Sequence, residues 1–138
     1  MSEAGWLIDK SALARISTSP DGQEWTARVE RGLVHVSTVT ILEVGYSAQS
    51  AVDWSERVEM PPLSLMPVVN LTPSVERRAV EVQGMLAREG RHRAPSVPDL
   101  LIAAMAEADG LVVLQVDKDF DLVAAVTGQP VERLNVGA

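Results

Sequence analysis

Hydrophobic residues in this chain form short apolar runs that alternate with longer segments of helical periodicity. The apolar runs predict strands at residues 6–8, 33–36, 65–71, 111–114 and 131–134. The periodic segments predict helices at residues 10–16, to about 31 after a turn at 19–22, and at 37–48, 52–60, 73–89, 99–108 and from 117 onwards. Pro67 makes the third run an edge strand or a connector. This alternation predicts an α/β fold whose parallel sheet is covered on both faces.

Composition limits the kind of protein further. A chain of 138 residues with 46% apolar residues fits one domain, here residues 1–138, and its scarce aromatics require an aliphatic core. The absence of cysteine excludes disulfides, thiolate metal sites and a cysteine nucleophile. No apolar run reaches the ~18 residues of a membrane span, and the N-terminus lacks a signal-peptide pattern. We therefore expect a soluble, cytoplasmic protein that does not contact a membrane.

Four acidic residues stand where an apolar segment gives way to a predicted helix start: Asp9, Glu43, Asp99 and Asp117. In a parallel sheet these positions lie along one edge, where ligands bind. Clustered carboxylates repel each other unless protons or cations are present. Hard divalent cations such as Mg²⁺ or Mn²⁺ suit oxygen ligands. The pattern therefore indicates metal-assisted chemistry, although a net charge of −7 counts against a nucleic-acid partner.

Helix capping offers a structural alternative for each of these acids. Thr40 and Glu43 match a capping box, Ser96 and Asp99 resemble one, and the other two carboxylates could be N-caps. The strongly apolar neighbours of the acids favour a metal site, because they hold the carboxylates in place and desolvate them in part. Both interpretations stay open from the residues alone.

Four motifs together resemble those of the PIN-domain ribonucleases, and more narrowly the VapC-type toxins of bacterial toxin–antitoxin pairs. They are Leu7-Ile8-Asp9-Lys10-Ser11-Ala12-Leu13, Thr40-x-x-Glu43, Asp99-Leu100-Leu101-Ile102-Ala103-Ala104 and Asp117-Lys118-Asp119-Phe120-Asp121. The resemblance implies a three-layer α/β/α sandwich with a central parallel sheet. It also implies an endoribonuclease that uses Mg²⁺, with Mn²⁺ as a substitute, an RNA substrate, a VapB-type antitoxin partner and a homodimer.

The resemblance also implies roles for individual side chains. Asp9, Glu43, Asp99 and Asp117 would be the catalytic acids and the metal ligands, with Asp9 and Asp99 in direct contact with the ion. Asp119 would replace or assist Asp117. Water activated by the metal would hydrolyse the phosphodiester, and no side-chain nucleophile is evident.

Five further residues are candidates for contact with the substrate, although most could equally be ordinary surface positions. They are Lys10, Ser11, Arg15, Arg91 and Arg93. Ser11 could hydrogen-bond a ligand carboxylate or a phosphate, or simply belong to the first turn of a helix. The arginines 91 and 93 lie in a basic loop that could bind the RNA backbone.

Two rival functions remain. An aspartate-nucleophile phosphatase would use Asp117 and Asp119 as its Asp-x-Asp motif, although that motif normally follows the first strand of a longer chain. A catalytically silent PIN-like interaction module would keep the acids only as helix caps. Thermal melting with and without Mn²⁺ or Mg²⁺ distinguishes a metal site from caps.

Overall fold

A five-stranded parallel sheet forms the centre of the computed structural model, which describes residues 5–137. In chain order the strands are β1 (Trp6–Ile8), β2 (Val34–Ser37), β3 (Val68–Val69), β4 (Val112–Gln115) and β5 (Val131–Arg133). Their order across the sheet is β3-β2-β1-β4-β5, and every neighbouring pair is parallel. Of the two alternatives that Pro67 leaves open, an edge strand and a connector, the structure shows the edge strand.

Helices connect the strands and cover both faces of the sheet. They are α1 (Lys10–Leu13), α2 (Gly22–Glu30), α3 (Thr38–Tyr46), α4 (Ala51–Val58), α5 (Pro73–Ala87), α6 (Val97–Asp109) and α7 (Asp119–Thr127). Short 3-10 turns at Ile16–Thr18 and Leu63–Leu65 complete the connections. The order of strands and helices is the one that the hydrophobic pattern predicts.

The central strand β1 separates two hydrophobic cores, because successive side chains of a strand point to opposite faces. Leu7 packs with buried side chains of α5, α6 and α7. Ile8 packs on the other face with those of α1 and α2, including Trp25. Burying one such side chain stabilises the fold by about 1.5–3 kcal/mol. The predicted α/β/α sandwich is confirmed.

Helix α5 shows how the pattern becomes structure. Its predicted stripe is buried throughout: Val75, Ala79, Val82 and Leu86. Thr72 caps its first turn by accepting a hydrogen bond from the Val75 backbone at 3.2 Å. After the helix, Gly90 adopts a positive φ of 72°, which a residue with a side chain rarely does.

Two expectations for helix starts are wrong: the capping box at Thr40, which lies inside the helix predicted from residue 37, and the start of the last helix at Asp117. Helix α3 begins at Thr38, and Ser37 is its N-cap, with an Oγ that accepts a hydrogen bond from the Thr40 backbone at 3.0 Å. Glu43 therefore lies in the second turn, and the capping box with Thr40 does not form. Helix α7 begins two residues after Asp117.

Asp117 instead closes the turn before α7. Its Oδ1 accepts a hydrogen bond from the Asp119 backbone at 2.9 Å, the geometry of an Asx turn. Competition between nearby polar residues decides such boundaries, and the hydrophobic pattern does not record it. Among residues 5–137, no helix combines the length and the hydropathy that crossing a bilayer requires.

Candidate active site

A pocket of about 410 Å³ opens at the edge of the sheet where β1 and β4 end. We call it the acidic pocket. Its walls come from the starts of α1, α6 and α7 and from the middle of α3. It is lined by Asp9, Lys10, Ser11, Ala14, Glu43, Ser96, Asp99, Ile102, Asp117 and Asp119. All four predicted catalytic acids and the extra candidate Asp119 are therefore in one place.

Asp9 is the most deeply buried carboxylate of the pocket, with 4% of its surface exposed. It follows β1 and caps α1 by accepting a hydrogen bond from the Ala12 backbone at 3.0 Å. Ser11 Oγ lies 2.8 Å from both Asp9 carboxylate oxygens and donates its proton to this group. The same Oγ accepts a hydrogen bond from the Val116 backbone at 3.1 Å. Ser11 thus ties the buried carboxylate to the end of β4.

Three other carboxylates form the tightest group in the pocket. One oxygen from each of Asp99, Asp117 and Asp119 lies within 4.8 Å of the other two. At that separation two full charges repel by about 1 kcal/mol in water and about 3.5 kcal/mol at an effective dielectric of 20. The arrangement is costly unless a proton or a cation lies between the charges.

Glu43 reaches the pocket from α3, next to the only lysine on the wall. Burial raises the pKa of Glu43, the positive charge of Lys10 lowers it, and the negative charge of Asp9 raises it again. Lys10 Nζ also donates a hydrogen bond to Ser47 Oγ at 3.3 Å. This lysine therefore lies where it can offset part of the negative charge.

Burial and mutual repulsion perturb most of the acids in the pocket. Desolvation raises the pKa of Asp99 to about 6, against the opposing hydrogen bonds from Ser96, and the charges of Asp117 and Asp9 raise it further. Desolvation also raises the pKa of Asp9. The pKa of Asp119 is raised by desolvation and by the charge of Asp117. The ordinary environment of a solvated helix cap would not produce these shifts.

The chemistry of these donors fits a hard divalent cation. The close group offers only carboxylate oxygens, which Mg²⁺ and Mn²⁺ prefer, and the chain contains no cysteine. Asp99 serves both interpretations at once, because it completes a capping box with Ser96 while facing the other carboxylates. Asp9 and Glu43 lie outside the close group. Their direct contact with an ion stays a prediction.

The other predicted substrate contacts separate into two sets. Lys10 and Ser11 line the acidic pocket. Arg15 is exposed just beyond α1, and Arg91 and Arg93 are exposed in the connection between α5 and α6, outside the lining of the pocket. Their contact with RNA stays a prediction.

Two polar features next to the site are not predicted by the sequence motifs. The link from Ser11 to Val116 joins positions 105 residues apart, so no local signal could reveal it. Gln115, at the end of β4, is 1% exposed, and its Oε1 has no hydrogen-bond partner. A glutamine in the lead-in to the last motif was the only available sign.

Two further depressions adjoin the acidic pocket. An apolar cleft of about 250 Å³ shares Lys10 and Ala14 with it and is otherwise lined by Leu13, Val44, Ser47, Glu56, Arg57, Pro61, Pro62 and Leu63. A shallow groove of about 520 Å³, here called the Tyr46 groove, shares Lys10 and Glu43 with the pocket and is otherwise lined by Val39, Leu42 and Tyr46. Lys10 belongs to all three.

The family model of the PIN domain matches residues 6–126, which include every acid of the pocket. The chain belongs to the PIN-domain family. Ribonuclease VapC2 of Mycobacterium tuberculosis is 59% identical to this PIN domain over 134 residues, 97% of this chain and 95% of that protein. Ribonuclease VapC51 of the same species is 43% identical over 125 residues, 91% and 89% of the two chains. These identities place this PIN domain among the VapC proteins.

Solved structures agree on the fold. A chain of the DNA-bound VapBC structure from Salmonella typhimurium matches this PIN domain with a TM-score of 0.75 at 18% identity, covering 95% of this chain and 98% of that one. A chain of the toxin–antitoxin structure VapBC-5 from Mycobacterium tuberculosis gives a TM-score of 0.65 at 24% identity, covering 97% and 100%. At these identities the likeness concerns the fold alone.

Proposed function

We propose that this PIN domain is the toxin of a toxin–antitoxin pair and hydrolyses RNA at the acidic pocket with the help of Mg²⁺ or Mn²⁺. The observation that carries the proposal is the convergence of Asp99, Asp117 and Asp119 oxygens to within 4.8 Å of one another. The VapC relatives, named as ribonucleases, support RNA as the substrate. A cation in the pocket also offsets the negative charge that would otherwise repel a phosphate.

Each residue of the pocket has a distinct task in this proposal. Asp99, Asp117 and Asp119 supply oxygen ligands to the ion. Asp9 adds negative charge from the floor of the pocket, where Ser11 fixes the orientation of its carboxylate. When bound, a divalent ion polarises a phosphate oxygen and makes a nearby water more acidic. Glu43 lies on the wall of the pocket, where it can accept the proton of an attacking water. Burial raises the pKa of its carboxyl group, which makes the carboxylate a stronger base.

The products follow from the identity of the nucleophile. Attack by water on phosphorus, with departure of the 3′ oxygen, leaves a 5′-phosphate and a 3′-hydroxyl. Ser11 is the pocket hydroxyl that contacts Asp9, and its proton and one of its two lone pairs are already engaged in hydrogen bonds. Mapping the RNA ends tests this step, because a covalent or 2′-hydroxyl route would leave different termini.

A matched pair of variants tests the proposed metal ligands. Asp119 and Asp121 both lie in the first turn of α7, but only Asp119 faces the acidic pocket. We expect Asp119→Asn to abolish most Mg²⁺-dependent cleavage of total RNA and to relieve growth arrest in cells that lack the antitoxin. Asp121→Asn should cleave like the wild type. If Asp119→Asn cleaved RNA as well as Asp121→Asn, Asp119 would not be a metal ligand. Cleavage unaffected by EDTA would refute the metal dependence.

We also propose that a VapB-type antitoxin covers the acidic pocket and the adjoining apolar cleft. The solved relatives are named as VapBC complexes, which supports such a partner. A segment with apolar side chains suits the cleft, and a basic side chain from it would pair with the carboxylates. Hydrogen exchange of the toxin with and without its co-expressed antitoxin should show protection at α1 and α3. Protection confined to other surfaces would refute this location.

A homodimer remains part of the proposal. Sedimentation velocity of the isolated chain tests it, since a monomer at micromolar concentration would contradict it.

A further inference from the structure

The outward surface of α3 is more apolar than that of an ordinary surface helix. Leu42 is 68% exposed and Tyr46 is 92% exposed, one helical turn apart on the same face. The inward side of the helix already supplies the core contacts, through Ile41 and Val44. Because so little of Leu42 and Tyr46 is buried, their side chains contribute little to folding.

The Tyr46 groove is continuous with the acidic pocket. Glu43 belongs to both, and Tyr46 follows it by three residues, so their Cβ atoms are about 5–6 Å apart on the helix surface. Lys10 also borders both depressions and is the only cation of either. A ligand that places a phosphate in the acidic pocket would therefore place its next chemical group over Leu42 and Tyr46.

Single-stranded nucleic acids place their bases on exposed aromatic rings, while cations contact the backbone. We infer that the Tyr46 groove binds one unpaired nucleobase of the RNA next to the scissile phosphate, with the base stacked on Tyr46 and packed against Leu42, and with Lys10 contacting the backbone. The shallow groove of about 520 Å³ has room for a flat base beside its one aromatic ring. This inference rests on the proposed ribonuclease function and assigns it a substrate-binding residue.

Another copy of the chain is the competing occupant, since exposed apolar surface also serves interfaces between proteins. Continuity with the acidic pocket favours RNA, because Lys10 and Glu43 line both depressions and the phosphate of the substrate must enter the pocket beside them.

Variants at Tyr46 test the inference. Tyr46→Phe keeps the ring, and Tyr46→Leu removes it but keeps an apolar side chain. Val80→Ala is the control, because Val80 is 70% exposed on α5 and lies in neither depression. The substrate is a short RNA that carries a cleavage site mapped in total RNA. Stacking of one base contributes about 1–3 kcal/mol, so Tyr46→Leu should raise KM by about 5- to 150-fold.

The other arms of this experiment define the expected pattern. Because Tyr46 is not among the residues that line the acidic pocket, kcat of Tyr46→Leu should stay near that of the wild type, and so should the Mn²⁺-induced rise in Tm. Tyr46→Phe and Val80→Ala should keep the wild-type KM. Unchanged KM in Tyr46→Leu would overturn the inference.

A binding measurement separates this inference from the proposed function. Single-stranded RNA containing 2-aminopurine is titrated with each variant in Ca²⁺, and stacking quenches the fluorescence of the modified base. Quenching by the wild type but not by Tyr46→Leu supports the inference even if no RNA is cleaved, an outcome that would refute only the nuclease. Equal quenching by both overturns it. So does a loss of affinity that occurs only when sedimentation shows dissociation of a dimer and that reverses when higher protein concentration restores the dimer.

Discussion

Two aspartates at equivalent helix positions should respond oppositely to the loss of their charge. Asp99 in α6 and Asp53 in α4 are each the third residue of their helix, and each donates its backbone N–H to an N-cap serine, Ser96 or Ser50. Burial raises the pKa of Asp99, whereas the hydrogen bond from Arg57 lowers the pKa of the partly exposed Asp53. We predict that Asp99→Asn stabilises the metal-free protein at pH 8 and that Asp53→Asn destabilises it.

The size of the stability gain expected for Asp99→Asn follows from the burial of the Asp99 carboxylate. A rise in pKa from 3.8 to about 6 corresponds to about 3 kcal/mol between the two protonation states. Solvent screening around a half-buried carboxylate reduces that figure, and we take about 1 kcal/mol. For 138 residues, 1 kcal/mol raises Tm by about 3–4 °C. The asparagine oxygen can still accept the hydrogen bond from the Ser96 backbone, so the helix cap should persist.

The stability gain of Asp99→Asn should increase as the pH rises. The folded pKa of Asp99 lies above the unfolded value, so between pH 4 and pH 6 the folded protein holds more protons than the unfolded chain, and its stability falls as the pH rises. Asp99→Asn removes this loss. The gain should therefore be largest above pH 6 and smallest at pH 4, close to the unfolded pKa of 3.8, below which wild-type Asp99 is protonated in both states.

Differential scanning fluorimetry in EDTA, at pH 4 and pH 8, measures both variants. Without metal, Asp99→Asn should have a higher Tm than the wild type at pH 8. Adding Mn²⁺ should give the wild type the higher Tm, because an ion at 100 times its Kd stabilises the wild type by about 2.7 kcal/mol, and Asp99→Asn has lost a ligand. If Asp99→Asn were less stable than the wild type at pH 8 without metal, the account of a pocket destabilised by its own buried negative charge would be refuted. An equal rise in Tm with Mn²⁺ in the wild type and in Asp99→Asn would refute it as well.

Three further substitutions test the fold and the positions of the site residues. Ser11→Ala should cost about 1–2 kcal/mol in urea denaturation and lower kcat about tenfold or more, because Asp9 loses its fixed partner. Gly45→Ala places a Cβ 2.6 Å from Trp54 Nε1, so we expect a loss of about 1–3 kcal/mol and a red shift of tryptophan emission; no change in either would contradict the close packing of α3 on α4. Leu86→Ala, at a fully buried position, should cost about 2–5 kcal/mol with metal affinity unchanged.

Local signals in the sequence were enough for the order of the elements and for the choice of acids that line the pocket. The stripe of α5 repeats every three or four residues, and short apolar runs mark β1 and β4. These features depend only on neighbours within a few positions, so they can be read along the chain. The choice between Ser37 and Thr40 as the cap of α3 could not be read along the chain, because both residues are good caps. The packing of β2 in the sheet decides which of them ends the strand.

Tertiary structure alone decided how the acids share the pocket. The resemblance implies Asp9 and Asp99 as the direct metal ligands, and that stays a prediction. The fold brings Asp119 to Asp99 and Asp117 and holds Asp9 deeper, against Ser11. Such distances depend on which strands are neighbours and on how helices far apart in the chain pack at their ends. The sequence alone therefore determined which groups are present and which edge they occupy, and the packing of β1 beside β4 determined their separations, because those separations arise from contacts between residues about a hundred positions apart.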